Sequence, residues 1–86
     1  MKIKQTIKIA GKTYTVKFVE SLADFGSTDF DKQVINIKAG ISDEMTVSVL
    51  LHEIVEVVNF SYELGLKHQD ITILENAAFQ IIKDNF

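Results

Sequence analysis

The sequence predicts an α+β fold: a three- or four-stranded antiparallel sheet packed on a buried helix, followed by a second, C-terminal helix. Three observations predict it. Apolar and polar residues alternate through the first half of the chain, the period of half-buried strands. Ser42-Asp43-Glu44 then supplies a hydroxyl cap and two carboxylates in front of a segment apolar on nearly every side. Beyond it, apolar residues recur at helical spacing from Ile71 to Ile82.

Ile3, Ile7 and Ile9 alternate with Lys2, Lys4, Thr6 and Lys8, and Tyr14, Val16 and Phe18 alternate with Thr13, Thr15 and Lys17. The Ala10-Gly11-Lys12 connection is short and contains glycine, which predicts a tight antiparallel hairpin. From Glu20 to Gly26 the alternation breaks into a helical turn or a loop packed by Leu22 and Phe25. Thr28-Asp29-Phe30, the turn-prone Asp31-Lys32-Gln33 and the β-branched run Val34 to Lys38 read as a second hairpin. The first helix runs from Ser42 to about Phe60 or Tyr62. The second starts near Asp70 as N-cap and repeats Ile71, Leu74, Ala78, Ile81 and Ile82, with Gly65 and its neighbours as the connection.

The 86 residues, 47% hydrophobic and 24% charged, suit a single domain, 1–86, that can bury a core without a disulfide or structural metal. A net charge of −3 argues against nucleic acid, whose phosphates call for clustered Lys and Arg. Lys2, Lys4 and Lys8 read as one solvated strand face. No run reaches the ~18 to 20 apolar residues of a membrane span and no signal core opens the chain, so the expectation is a soluble, unprocessed, cytoplasmic protein. Cysteine is absent, which suits a reducing compartment and leaves only His, Asp and Glu as metal ligands.

The polar residues of the first helix carry the chemistry. Val47, Val49, Leu50, Leu51, Ile54, Val55, Val57, Val58 and Phe60 make it a buried helix, yet Ser48, His52, Glu56 and Asn59 follow i, i+4, i+8 and i+11 down one stripe. Buried unpaired carboxylates are costly, so the stripe faces water or something positive compensates it. His52 and Glu56, one turn apart, can chelate one cation. Glu53, about 100° around the helix, stands where it could hydrogen-bond a metal-bound water. Glu75 lies at the border of the second helix's apolar face, and His68, seven residues earlier, joins that side if the helix begins early. The bland readings are an intrahelical His–Glu contact on a solvated stripe, a loop or first-turn histidine at His68, and Tyr62 as a helix-end anchor rather than an oxyanion aid.

These residues resemble the minimal zincin-like proteins of phages and bacteria, related in pattern to the ImmA/IrrE-type metallopeptidases. The resemblance runs from Gly26 to the C-terminus, through Gly26-Ser27-Thr28-Asp29-Phe30, Gln33-Val34-Ile35-Asn36-Ile37, Leu50-Leu51-His52-Glu53-Ile54-Val55-Glu56, and His68 with Ile71, Leu74 and Glu75. It implies a twisted sheet on an active-site helix, His52 and Glu56 as metal ligands, Glu53 as catalytic general base, and Glu75 or His68 as third ligand. It also places strand Val34 to Ile37 nearest the cleft, where an extended substrate pairs. The HExxE motif departs from the family at Glu56, which stands where a histidine is usual. The added negative charge weakens a metal as Lewis acid, implying reduced or lost peptidase activity, and widens the choice of metal from zinc to manganese or iron.

Two functions compete, and oligomerisation is a third reading. One is a metal-dependent peptidase or hydrolase using metal-activated water. The other is a non-enzymatic phage or prophage accessory module that binds a peptide or protein partner, with His52, Glu53 and Glu56 as a metal-free network. The third is a structural domain that oligomerises through its sheet edge or through Phe79 and Phe86.

Overall fold

The computed structural model describes residues 3–86. Its elements are β1 (Thr6–Ile9), β2 (Lys12–Val19), β3 (Gly26–Asp29), β4 (Val34–Lys38), α1 (Asp43–Ser61) and α2 (His68–Asn85). Ala10 and Gly11 both take positive φ in the two-residue β1–β2 loop, the backbone twist that a tight hairpin needs and that glycine supplies without strain. Lys2 of the expected first strand lies outside the described residues; Ile3 and Lys4 precede β1 rather than belonging to it.

The sheet is mixed, which corrects the antiparallel expectation. Its order is β1-β2-β4-β3, with β2 and β4 parallel in the register Val16 to Ile35 and Phe18 to Ile37. Both expected hairpins form, β1 with β2 and β3 with β4. Alternation reports which face a residue occupies but not the direction of its neighbour, so the pattern could not separate the two arrangements. The segment 20–25 is irregular and carries the chain past the place beside β2 to the far edge, and the second hairpin then returns β4 into the gap. Asp29 closes that hairpin by accepting the Asp31 and Lys32 backbone N–H groups through Oδ1 at 3.0 and 2.9 Å.

One face of the sheet packs on α1. Tyr14, Val16, Ile35 and Ile37 from the two central strands meet Val49, Leu50 and Val57, and Ile35, Ile37 and Val57 have no exposed surface. Each such side chain contributes about 1.5–3 kcal/mol of burial. Phe18, expected to continue the buried row of β2, is instead 53% exposed: it reaches the sheet end and borders a shallow depression with Ile3, Ile41 and Val47.

Ser42 caps α1, its Oγ accepting the Met45 N–H at 3.2 Å. Asn59 pins the connection between helices by accepting the Leu66 N–H at 2.9 Å. The second helix begins at His68, three residues before the start expected with Asp70 as N-cap, because Lys67 holds that position. The Asp70 carboxylate lies inside the first turn and accepts the Lys67 N–H at 3.0 Å. Among the described residues α2 packs on α1 alone, burying Ile71, and half-burying Glu75, Ala78, Phe79 and Ile82. Leu74 and Ile81, expected on that face, are 46% and 51% exposed. The helix is rotated so that Glu75, not Leu74, points at α1.

Candidate functional site

Between β3, the 23–25 segment, α1 and the start of α2 lies an open cleft of about 710 Å³. His52, Glu53, Glu56, His68 and Glu75, all singled out in the sequence, line it together with Ser48. Asn59 and Tyr62 do not. The first serves the interhelix connection, and the second is the exposed C-terminal cap residue of α1. Apolar side chains, among them Phe25, Phe30, Met45 and Val49, share the remaining wall with Asp24, Ser27 and Thr28, and no Lys or Arg is among the lining residues.

The strand beside the cleft is β3, not Val34–Ile37. β4 lies between β2 and β3, whereas β3 is an edge strand whose Gly26, Ser27 and Thr28 line the cleft. Its close approach to α1 depends on Gly26. A Cβ there would stand 2.5 Å from Val49 Cγ1 and 3.1 Å from Glu53 Oε2, closer than packed atoms tolerate. The missing side chain lets Thr28 Oγ1 donate to Glu53 Oε1 at 2.8 Å. Neither contribution was assigned from sequence, because a glycine and a threonine beside a turn have no period that marks them.

Glu53 is 7% exposed, the buried charged residue of the protein's described part. Burial pushes its carboxyl pKa above the ordinary value of 4.5. The Thr28 hydrogen bond and the nearby His52 oppose that shift, and Glu56 adds to it. The group is therefore disposed to take up a proton more readily than a solvated glutamate.

His52 is held differently. Its Nδ1 lies 2.9 Å from Glu75 Oε1, its Nε2 3.7 Å from Glu56 Oε2, and Ser48 Oγ donates to Glu75 Oε2 at 2.6 Å. The early start of α2 brings His68 to the same place, its ring centroid 5.6 Å from that of His52. No three His, Asp or Glu side chains among the described residues are arranged, as they stand, to hold a metal ion. Among the same residues, no buried side-chain nitrogen or oxygen lacks a hydrogen-bond partner.

No helix among the described residues is long and apolar enough to cross a membrane. No family model matches the chain, and no curated protein or solved structure matches it significantly.

Proposed function

We propose that the cleft is a zincin-like divalent-metal site serving hydrolysis, with peptide bonds as the substrate class that the sequence resemblance suggests. The observation that carries this reading is the placement of His52 Nε2 and Glu56 Oε2, 3.7 Å apart at the cleft and beside the buried Glu53. Two donors each about 2.0–2.2 Å from one ion can be separated by that distance, so the spacing of the pair is compatible with a shared cation. The donor chemistry, one imidazole and one carboxylate without a thiolate, suits zinc, manganese or iron. The pair supplies two donors, and His68, whose ring centroid lies 5.6 Å from that of His52, is the third donor of this reading.

A metal held there would supply Lewis acidity and lower the pKa of water bound to it. The chain's own residues supply the rest. Glu53, desolvated and anchored by Thr28, accepts a proton at the carboxylate oxygen not bonded to the hydroxyl. Gly26 keeps that carboxylate close under β3. Glu56 brings negative charge that makes the site a weaker electrophile than one with neutral ligands. The consequence is slow hydrolysis relative to a histidine-ligated site.

Metal content of protein purified without chelators, compared with His52→Ala, tests the reading. Near-stoichiometric metal in the wild type and its loss in the variant are expected. Sub-stoichiometric metal in both would end the proposal.

One observation favours a second reading, a metal-free network in a module that binds a peptide or protein partner: every buried polar side-chain atom among the described residues is already satisfied. Zinc added to chelator-treated protein separates the two, because a ligand that binds the folded state raises Tm. An unchanged Tm favours the metal-free module.

A further inference from the structure

The resemblance makes Glu56 a ligand beside His52 and offers Glu75, or else His68, as the third, and the structure brings both carboxylates to the His52 ring. The structure separates them by the ring edge each one faces. Glu75 Oε1 sits 2.9 Å from Nδ1 and Glu56 Oε2 3.7 Å from Nε2. The lone-pair directions of the two imidazole nitrogens diverge, so an ion bound at Nε2 is turned away from Glu75. Both Glu75 oxygens are also engaged, Oε1 at the ring and Oε2 by the Ser48 hydroxyl at 2.6 Å.

We propose that Glu75 is a positioning residue rather than a third ligand, a carboxylate that fixes the tautomer and ring plane of His52; this rests on the His52–Glu56 cation site proposed above. A carboxylate accepts only, so its partner at Nδ1 must carry the proton. In a neutral imidazole the other nitrogen is then an acceptor, and Nε2 turns its lone pair toward Glu56 and the cleft. Ser48 stops the carboxylate from turning, because it grips the second oxygen from the same helix, one turn before His52. Glu75 in turn comes from α2, which packs on α1. The docking of α2 thus decides which nitrogen of an α1 histidine is free. Carboxylates behind metal-binding histidines set ring orientation in this manner and raise ligand basicity.

The tautomer is read directly from long-range ¹H–¹⁵N correlations of the histidine ring in chelator-treated, metal-free protein at a pH where His52 is neutral. The wild type is expected to carry its proton on Nδ1; a proton on Nε2 overturns the assignment without any variant. Glu75→Gln keeps an oxygen acceptor and is expected to retain the Nδ1 proton. Glu75→Leu, checked for folding by its amide spectrum, is expected to move the proton to Nε2. A folded Glu75→Leu that keeps it on Nδ1 also overturns the proposal. In zinc titrations Glu75→Gln should weaken binding about 10- to 100-fold, with His52→Ala losing it. Loss in Glu75→Gln as complete as in His52→Ala would make Glu75 a ligand and overturn the positioning role. Because the tautomer is measured without metal, failure of the cation site and failure of this assignment are separate results.

Discussion

The two sides of the cleft hold a glutamate in opposite ways. On the sheet side, Glu53 is desolvated between α1 and β3, which raises its carboxyl pKa, and the one hydroxyl donor it receives, from Thr28, only opposes that rise. On the helix side, Glu75 is partly buried between α1 and α2 and engages two groups, the Ser48 hydroxyl and the His52 ring. Burial alone therefore does not decide what a carboxylate can do. One poorly compensated by donors is disposed to exchange protons, and one gripped at both oxygens serves as a strut. Both depend on neighbours contributed by elements remote in sequence.

The sheet side breaks most easily at Gly26. In Gly26→Ala the new Cβ meets Val49, a buried β-branched side chain with little rotamer freedom, so β3 must lift from α1. We expect a loss of about 3 kcal/mol in chemical denaturation, the upper end of ordinary overpacking. A loss below about 0.5 kcal/mol, within the ordinary surface range, would show that β3 moves freely and that the Thr28–Glu53 contact is not enforced by the close approach. On the helix side, Glu75→Ala leaves Ser48 and His52 without their shared acceptor. The expected cost is about 2 kcal/mol, with Ser48→Ala costing less because Glu75 retains its contact with the ring. Equal costs would contradict the view that Glu75 is the hub of that network.

What was legible in the sequence and what was not divides along the same line. His52, Glu53 and Glu56 were found because a helix converts spacing into a face, and their grouping needs only α1. His68 and Glu75 were reached by the same rule applied to α2, although the helix start was displaced when Asp70 was read as a cap rather than a first-turn acceptor. The parallel pairing of β2 with β4 was not legible, since Val16, Ile35 and Ile37 alternate identically beside a parallel or an antiparallel neighbour. That omission hid the identity of the cleft strand, because only the order β2-β4-β3 puts Gly26 and Thr28 at the edge over Glu53. Exposure of Leu74 and Ile81 has the related cause that a helix with apolar residues on two sides does not announce which side docks.

A gentler change acts on one hydrogen bond. Thr28→Val keeps the shape of the side chain and removes the donor to Glu53, so it should cost about 1 kcal/mol and push the Glu53 pKa further up. Direct titration of the Glu53 carboxyl carbon by NMR in the variant and the wild type measures the displacement. An unchanged or lowered pKa would mean that the hydroxyl does not stabilise the charged form.

The smallest effect is also the most specific, the pH dependence of Glu53→Gln in metal-free protein. The folded-state pKa of Glu53 lies above the ordinary value of 4.5, which serves for the unfolded chain. Below 4.5 both states hold the proton, and the group's favourable contribution to folding is fully present. As pH rises from there the unfolded chain releases its proton first, so stability is lost until the folded pKa has been passed, and beyond it the loss is constant. Glutamine has no proton to lose and its amide oxygen can still accept from Thr28. The Tm of Glu53→Gln minus that of the wild type should therefore rise with pH across that window and level off above it. A difference that stays flat, or that falls as pH rises, would place the Glu53 pKa at or below that of a solvated carboxylate and overturn the desolvation argument.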